Sequence, residues 1–159
     1  MTEEKNTDTL NRSSPQRILV IDDESVVGLS CRRILQSDGH SVETRQDPHE
    51  GLKEACSGNY DLILLDLVMP DLGGLALFAK MKESGVTSEV VIITGYSTVE
   101  TAVQAMQQGA ADYVSKPFTP DELRMVVRRV AERSALIREN AALRKELEDA
   151  QGFEGMIGE

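Results

Sequence analysis

A chain of 159 residues that is 40% hydrophobic holds enough apolar material for the core of one ordinary domain, which excludes global disorder. Its formal net charge of −10, from 27 acidic against 17 basic residues, argues against non-specific nucleic-acid binding by this segment. No run approaches the ~20 apolar residues of a membrane span, and the polar stretch from Met1 to Gln16 lacks the apolar centre of a signal peptide, so residues 1–15 read as a disordered tail of a cytoplasmic protein.

Five β-like runs alternate with helical patterns. The first is Arg17 to Asp22, followed by a helical stretch from Glu24 to Ser37 with Val27, Cys31, Ile34 and Leu35 on one face. A weaker strand, Ser41 to Arg45, precedes a helix from Pro48 to Cys56, whose proline stands in the first turn, where a missing N–H costs least. Cys31 and Cys56 belong to no CxxC or Cys/His cluster and are expected to be small buried hydrophobes. The third strand is Asp61 to Asp66, followed by a helix from Leu75 to Lys82. The fourth, Glu89 to Thr94, precedes a helix from Thr98 to Gln108 that Gly109 is placed to cap. The fifth is Ala111 to Ser115, and Leu123, Val126, Val127 and Val130 mark the core face of a final helix. Runs one, three and four are apolar almost throughout, as suits strands covered on both faces, and the repeated βα unit predicts a doubly wound α/β fold around a parallel sheet.

In such sheets the ligand site lies beyond the carboxyl ends of the strands. Those ends carry Asp22 and Asp23, Asp66, Thr94, and Lys116 with Pro117. Three carboxylates brought together repel one another unless a cation sits among them. Oxygen ligands with open positions suit Mg²⁺. A carboxylate can attack a phosphoryl group, an ammonium can offset the transferred charge, and a hydroxyl can bond the product. An Asp after a strand is also a common helix N-cap or turn former, but all five residues at strand ends make a site the stronger expectation.

The motifs Leu19-Val-Ile-Asp-Asp-Glu24, Leu64-Leu-Asp-Leu-Val-Met-Pro70 with Gly73-Gly74, Ile93-Thr-Gly95 and Tyr113-Val-Ser-Lys-Pro-Phe118, in this order and at these spacings, resemble the receiver domain of two-component response regulators over residues 16–133. The resemblance implies a flavodoxin-like sheet of five parallel strands in the order 2-1-3-4-5. It implies that Asp66 accepts a phosphoryl group from a histidine kinase. It further implies that Asp23, Asp66 and the backbone carbonyl of Val68 bind Mg²⁺ directly, with Asp22 acting through water. By the same likeness Lys116 pairs with the phosphoryl group, Thr94 is the switch hydroxyl with room left beside it by Gly95, and Tyr113 is the switch aromatic that turns inward as Thr94 moves. An aspartate-dependent phosphatase would carry a general-acid Asp two positions after its nucleophile, where this chain has Val68. A flavin-binding domain would have a loop rich in Gly, Ser and Thr in place of Asp22-Asp23-Glu24. A stand-alone phosphorelay receiver is a further alternative.

Beyond Arg133 a heptad begins, with Leu136, Leu143 and Ala150 at d, and Asn140 and Leu147 at a. Residues 134–151 therefore read as a helical coiled-coil linker forming a parallel homodimer, with Glu139 at g facing Arg144 at e of the second copy; a helix folded back on its own domain is the alternative. Arg124, Arg128, Arg129, Arg133 and Arg138 read as a solvated face rather than a DNA contact, given the acidic residues nearby. The segments Glu139 to Leu147 and Gly152 to Glu159 resemble the linker and first ATPase residues of nitrogen-regulatory activators that work with sigma-54. The chain is thus expected to be the receiver and linker of such an activator, with residues 152–159 beginning a truncated ATPase domain. No GxxxxGK[ST] loop occurs here, so contacts with DNA and sigma-54 RNA polymerase would belong to domains outside the chain.

Overall fold

A computed structural model describes residues 14–69, 72–95 and 99–158, without the side chains of 99 and 151–158. The expected tail lies almost wholly outside the described residues, as do Pro70 and Thr98; the side chains of the expected ATPase start do too. The strands are β1 (Arg17–Ile21), β2 (Ser41–Arg45), β3 (Leu62–Asp66), β4 (Glu89–Thr94) and β5 (Asp112–Ser115). The helices are α1 (Ser25–Ser37), α2 (Pro48–Ser57), α3 (Gly74–Glu83), α4 (Val99–Gln107) and α5 (Pro120–Gly158). All strand pairings are parallel and the order is β2-β1-β3-β4-β5, the flavodoxin-like receiver arrangement.

The central strands are apolar except at their ends because each face meets helices. Leu19, Ile21, Ile63, Leu65 and Ile92 point to one side, against Ala55 of α2, Leu77, Phe78 and Met81 of α3, and Ala102 and Ala105 of α4. Ile18, Val20, Leu62, Leu64, Val91, Ile93 and Val114 point to the other, against Cys31 and Leu35 of α1 and Leu123, Val126, Val127 and Val130 of α5. Strand alternation thus assigns neighbouring residues to different layers.

Local chemistry sets the helix ends. Asp47 caps α2 by accepting the Glu50 N–H at 3.2 Å, with Pro48 in the first turn. Thr119 and Glu122 form a reciprocal capping box at the start of α5, each side chain accepting the other residue's backbone N–H. Gly109 follows α4 with φ of +110°, a conformation an L side chain resists. Cys31 is buried as expected, but Cys56 is exposed. The buried residues of α2 are Pro48, Gly51 and Ala55, and Cys56, one step of about 100° further round, faces solvent.

Helix α5 is continuous for 39 residues, roughly 60 Å at 1.5 Å per residue. Its buried contacts with the domain end at Ala131, and every described side chain from Ala135 to Ala150 is exposed. The helix therefore runs on past the domain and does not fold back on it. Among the described residues, no helix is long and apolar enough to cross a membrane.

Candidate functional site

Parallel pairing brings the acidic residues together. β1 and β3 run side by side with Ile21 opposite Leu65, so Asp22 and Asp66 leave neighbouring strands at the same level. Asp66 pairs with Ile93, which puts Thr94 one residue further along β4, and Thr94 pairs with Ser115, which puts Lys116 immediately after β5. The Lys116 N–H donates to the Thr94 carbonyl at 2.6 Å, and the Lys116–Pro117 peptide bond is cis.

The side chains converge accordingly. One carboxylate oxygen from each of Asp22, Asp23 and Asp66 lies within 4.8 Å of the others. Asp22 and Asp66 are buried, whereas Asp23 is open to solvent. Lys116 Nζ sits 2.9 Å from Asp22 Oδ2, 3.3 Å from Asp66 Oδ2 and 3.8 Å from Glu24 Oε2. Two contacts orient the carboxylates: Asp22 Oδ1 accepts the Glu24 N–H at 2.9 Å, and Asp66 Oδ1 accepts the Val68 N–H at 3.1 Å. Burial, reinforced by the charge of Asp22, pushes the Asp66 carboxyl up to about 6, against the opposing pull of the Val68 N–H and of Lys116. For Lys116, burial alone would lower the pKa, but Asp22, then Asp66 and Glu24, outweigh it and hold the ammonium above its ordinary value.

These residues suit a hard divalent cation. Three carboxylates face one ammonium, and the buried Asp22 Oδ2 is in ion-pair contact with Lys116 but accepts no hydrogen bond from the described residues. An ion on the solvent side, where Asp23 is exposed, would retain open positions for water or phosphate.

The two predicted switch residues, Thr94 and Tyr113, lie on β4 and β5. Thr94 is buried, and its hydroxyl donates to the Gly95 carbonyl at 3.0 Å. A Cβ built on Gly95 would meet nothing within 4 Å among the described residues. Tyr113, next along β5 from Asp112, is 49% exposed and so stands outward. Of the arginines read as a solvated face of the last helix, Arg124 pairs with Asp38 and Asp121, and Arg129 with Asp112.

Sequence reasoning missed two contributors. Glu24, part of the first motif, is also an ion partner of Lys116. Gly74 is a packing requirement: a Cβ there would lie 2.4 Å from Leu67 Cα and 2.5 Å from the Asp66 carbonyl oxygen. Only a glycine lets the start of α3 close on the segment after β3, where the Gly74 N–H donates to the Leu67 carbonyl. The Gly73-Gly74 pair was the available signal, but it did not say which glycine is needed.

Residues 18–128 match the response regulator receiver domain family. The chain belongs to that family. It is the receiver domain of a two-component response regulator, carrying a long C-terminal helix. The transcriptional regulatory protein DltR of Streptococcus agalactiae is 35% identical over 124 residues, 78% of this chain and 55% of the relative. The alginate biosynthesis transcriptional regulatory protein AlgB of Pseudomonas aeruginosa is 38% identical over 133 residues, 84% of this chain and 29% of the relative. This receiver chain thus spans about half, or less, of the length of these curated relatives. Among solved structures, NtrX from Brucella abortus superposes with a TM-score of 0.79 at 36% identity, covering 83% of this chain and 30% of NtrX. A receiver domain from Clostridium thermocellum gives 0.69 at 33% identity, covering 76% of this chain and 98% of that one.

Proposed function

We propose that Asp66 is the phosphoacceptor of this receiver and that a histidine kinase supplies the phosphoryl group. The observation that carries this is the contact of Lys116 with both Asp22 and Asp66, in a cluster completed by Asp23. An Asp66 oxygen would bond to phosphorus as the bond from phosphorus to the donor's histidine nitrogen breaks. Asp23, Asp66 and the Val68 carbonyl would hold Mg²⁺ directly, with Asp22 acting through water. When bound, the ion would offset the charge of the cluster and of the phosphoryl oxygens. Lys116 would move from its two carboxylate partners toward the new anion. The phosphoryl group adds about 1.5–2 negative charges and new acceptors, and the Thr94 hydroxyl would turn from the Gly95 carbonyl toward them. Tyr113, now outward, would fill the space that Thr94 leaves. Val68 offers no general acid two positions after Asp66, which supports a regulatory phosphoacceptor over a phosphatase.

The output we propose is control of a sigma-54-dependent transcription activator through a dimer formed by residues 134–151. AlgB is a transcriptional regulatory protein, and this chain covers about a third of AlgB and of NtrX, which supports an output carried by further domains. Contacts with DNA and with RNA polymerase would be made by domains outside this chain. The exposed stripe of Leu136, Leu143 and Leu147 with Asn140 favours a second copy as the occupant of the helix and disfavours a stand-alone phosphorelay receiver.

Intact-mass spectrometry after incubation with a small-molecule phosphodonor and Mg²⁺ tests the site. One phosphoryl group is expected on the natural chain and none on Asp66→Asn; equal incorporation by both would end the assignment. For the dimer, light scattering is expected to give twice the chain mass for the natural protein and a single chain for Leu143→Arg.

A further inference from the structure

Counted back from Leu136 at d, the heptad places Arg133 at a and Arg129 at d. The dimer seam therefore does not end where the leucines end; its next two positions toward the domain are arginines. In a parallel pair each would face its own copy, and like charges at a seam oppose association. The two differ in their surroundings. Arg129, 60% exposed along its side chain, is bound by its own domain: its Nη2 lies 2.9 Å from Asp112 Oδ2.

Asp112 opens β5, the edge strand that also carries Tyr113. Its two carboxylate oxygens have separate tasks. Oδ2 holds Arg129, and Oδ1 accepts the N–H of Tyr113 at 2.8 Å. The carboxylate that neutralises a seam arginine is thus hydrogen-bonded to the peptide of the proposed switch aromatic. Asp112 shares its strand face with buried Val114, the face packed on α5, whereas Tyr113 points to the other.

We propose that Asp112 governs the domain-proximal end of the dimer seam by holding the Arg129 guanidinium off it, so that movement of β5 at Tyr113 is felt directly in the association of the long helices. This rests on the dimer reading above. With the tether made, Arg129 is neutralised at its own sheet and two copies can approach as far as this heptad. With the tether lost, an unpaired Arg129 joins Arg133 on the seam and forces the first heptad apart.

The dimer dissociation constant of the full 159-residue chain, measured by sedimentation at low and high salt, tests this. Asp112→Asn is expected to weaken the dimer by about threefold to tenfold at low salt, with the difference shrinking at high salt as screening removes the repulsion. Arg129→Leu places an apolar side chain at d and is expected to tighten the dimer about tenfold. In the Arg129→Leu background Asp112→Asn should change nothing further, an outcome that general damage to β5 would not produce. If Leu143→Arg dissociates the dimer while Asp112→Asn and Arg129→Leu leave its affinity unaltered, the tether is refuted and the dimer stands. If the natural chain is a monomer at every concentration, the dimer reading falls and takes the tether with it.

Discussion

Lys116 and Asp66, 50 residues apart in sequence, meet at 3.3 Å beyond the end of the sheet, and the same ammonium lies closer still, at 2.9 Å, to Asp22. One cation thus serves two buried carboxylates. In the absence of a metal ion this arrangement is under-neutralised, with consequences for stability as well as chemistry.

The Asp66 carboxyl is raised from 3.8 to about 6, so the fold favours its protonated form. Stability from this source is complete below the unfolded pKa and is lost as pH rises through about 6. Asp66→Asn, which mimics the neutral acid, should therefore stabilise the protein in EDTA at pH 7 by roughly 2–3 kcal/mol, at about 1.4 kcal/mol per unit. The gain should shrink at pH 5. Urea unfolding at both pH values measures it. Added Mg²⁺ should stabilise the natural chain more than the variant.

Removing the shared ammonium should act in the opposite direction. Lys116→Met leaves Asp22 and Asp66 buried without their cation, and a loss of about 1–3 kcal/mol at pH 7 is expected, less than for a fully buried pair because Lys116 is partly open to solvent. The loss should lessen when Asp66→Asn is combined with it, a non-additivity that a double-mutant cycle reads directly.

The two adjacent glycines should respond differently to alanine. At Gly74 the new methyl would collide with Leu67 Cα and the Asp66 carbonyl, both backbone, so Gly74→Ala should cost more than about 2 kcal/mol and lower phosphoryl incorporation at Asp66. At Gly73 nothing stands within 4 Å among the described residues and the backbone φ is −64°, so Gly73→Ala should cost less than about 1 kcal/mol. Thermal unfolding and intact-mass measurements on both variants test the difference.

His40 supplies a separate pH dependence. Its buried ring accepts the Gln16 N–H at Nδ1, 2.9 Å away, which requires the neutral imidazole. Burial holds its pKa below the ordinary value, and Arg128 adds to this, against the opposing charge of Asp38. Stability from the neutral ring is present above the unfolded pKa and is lost as pH falls through the folded one. In the Asp66→Asn background, which removes the contribution of opposite sign, melting temperature should fall between pH 7 and pH 5. His40→Gln should flatten that fall.

How much of this was legible depended on whether the signal was local. Strands β2 and β4 carry the boundaries expected of them, and the residues at the carboxyl ends of β1, β3, β4 and β5, the last of each strand or the next one on, are those read as the site. Unbroken apolar runs such as Leu62 to Leu65 suit a strand buried on both faces, and parallel strands deliver their carboxyl ends to one edge. Composition and order alone therefore placed Asp22, Asp66, Thr94 and Lys116 together. Pairings between distant elements were decided only by the tertiary structure. Cys56 faces solvent because the buried stripe of α2 runs through Gly51 and Ala55, a matter of helix rotation against the sheet. Gly74, not Gly73, is the required glycine because the approach of α3 to Leu67 follows from packing. Arg129 meets Asp112, and Arg124 meets Asp38, because α5 crosses the sheet beside β5 and α1 at one rotation. Sequence periodicity specifies which face of an element is apolar; which charged neighbours border that face is set by how the elements come to rest against one another.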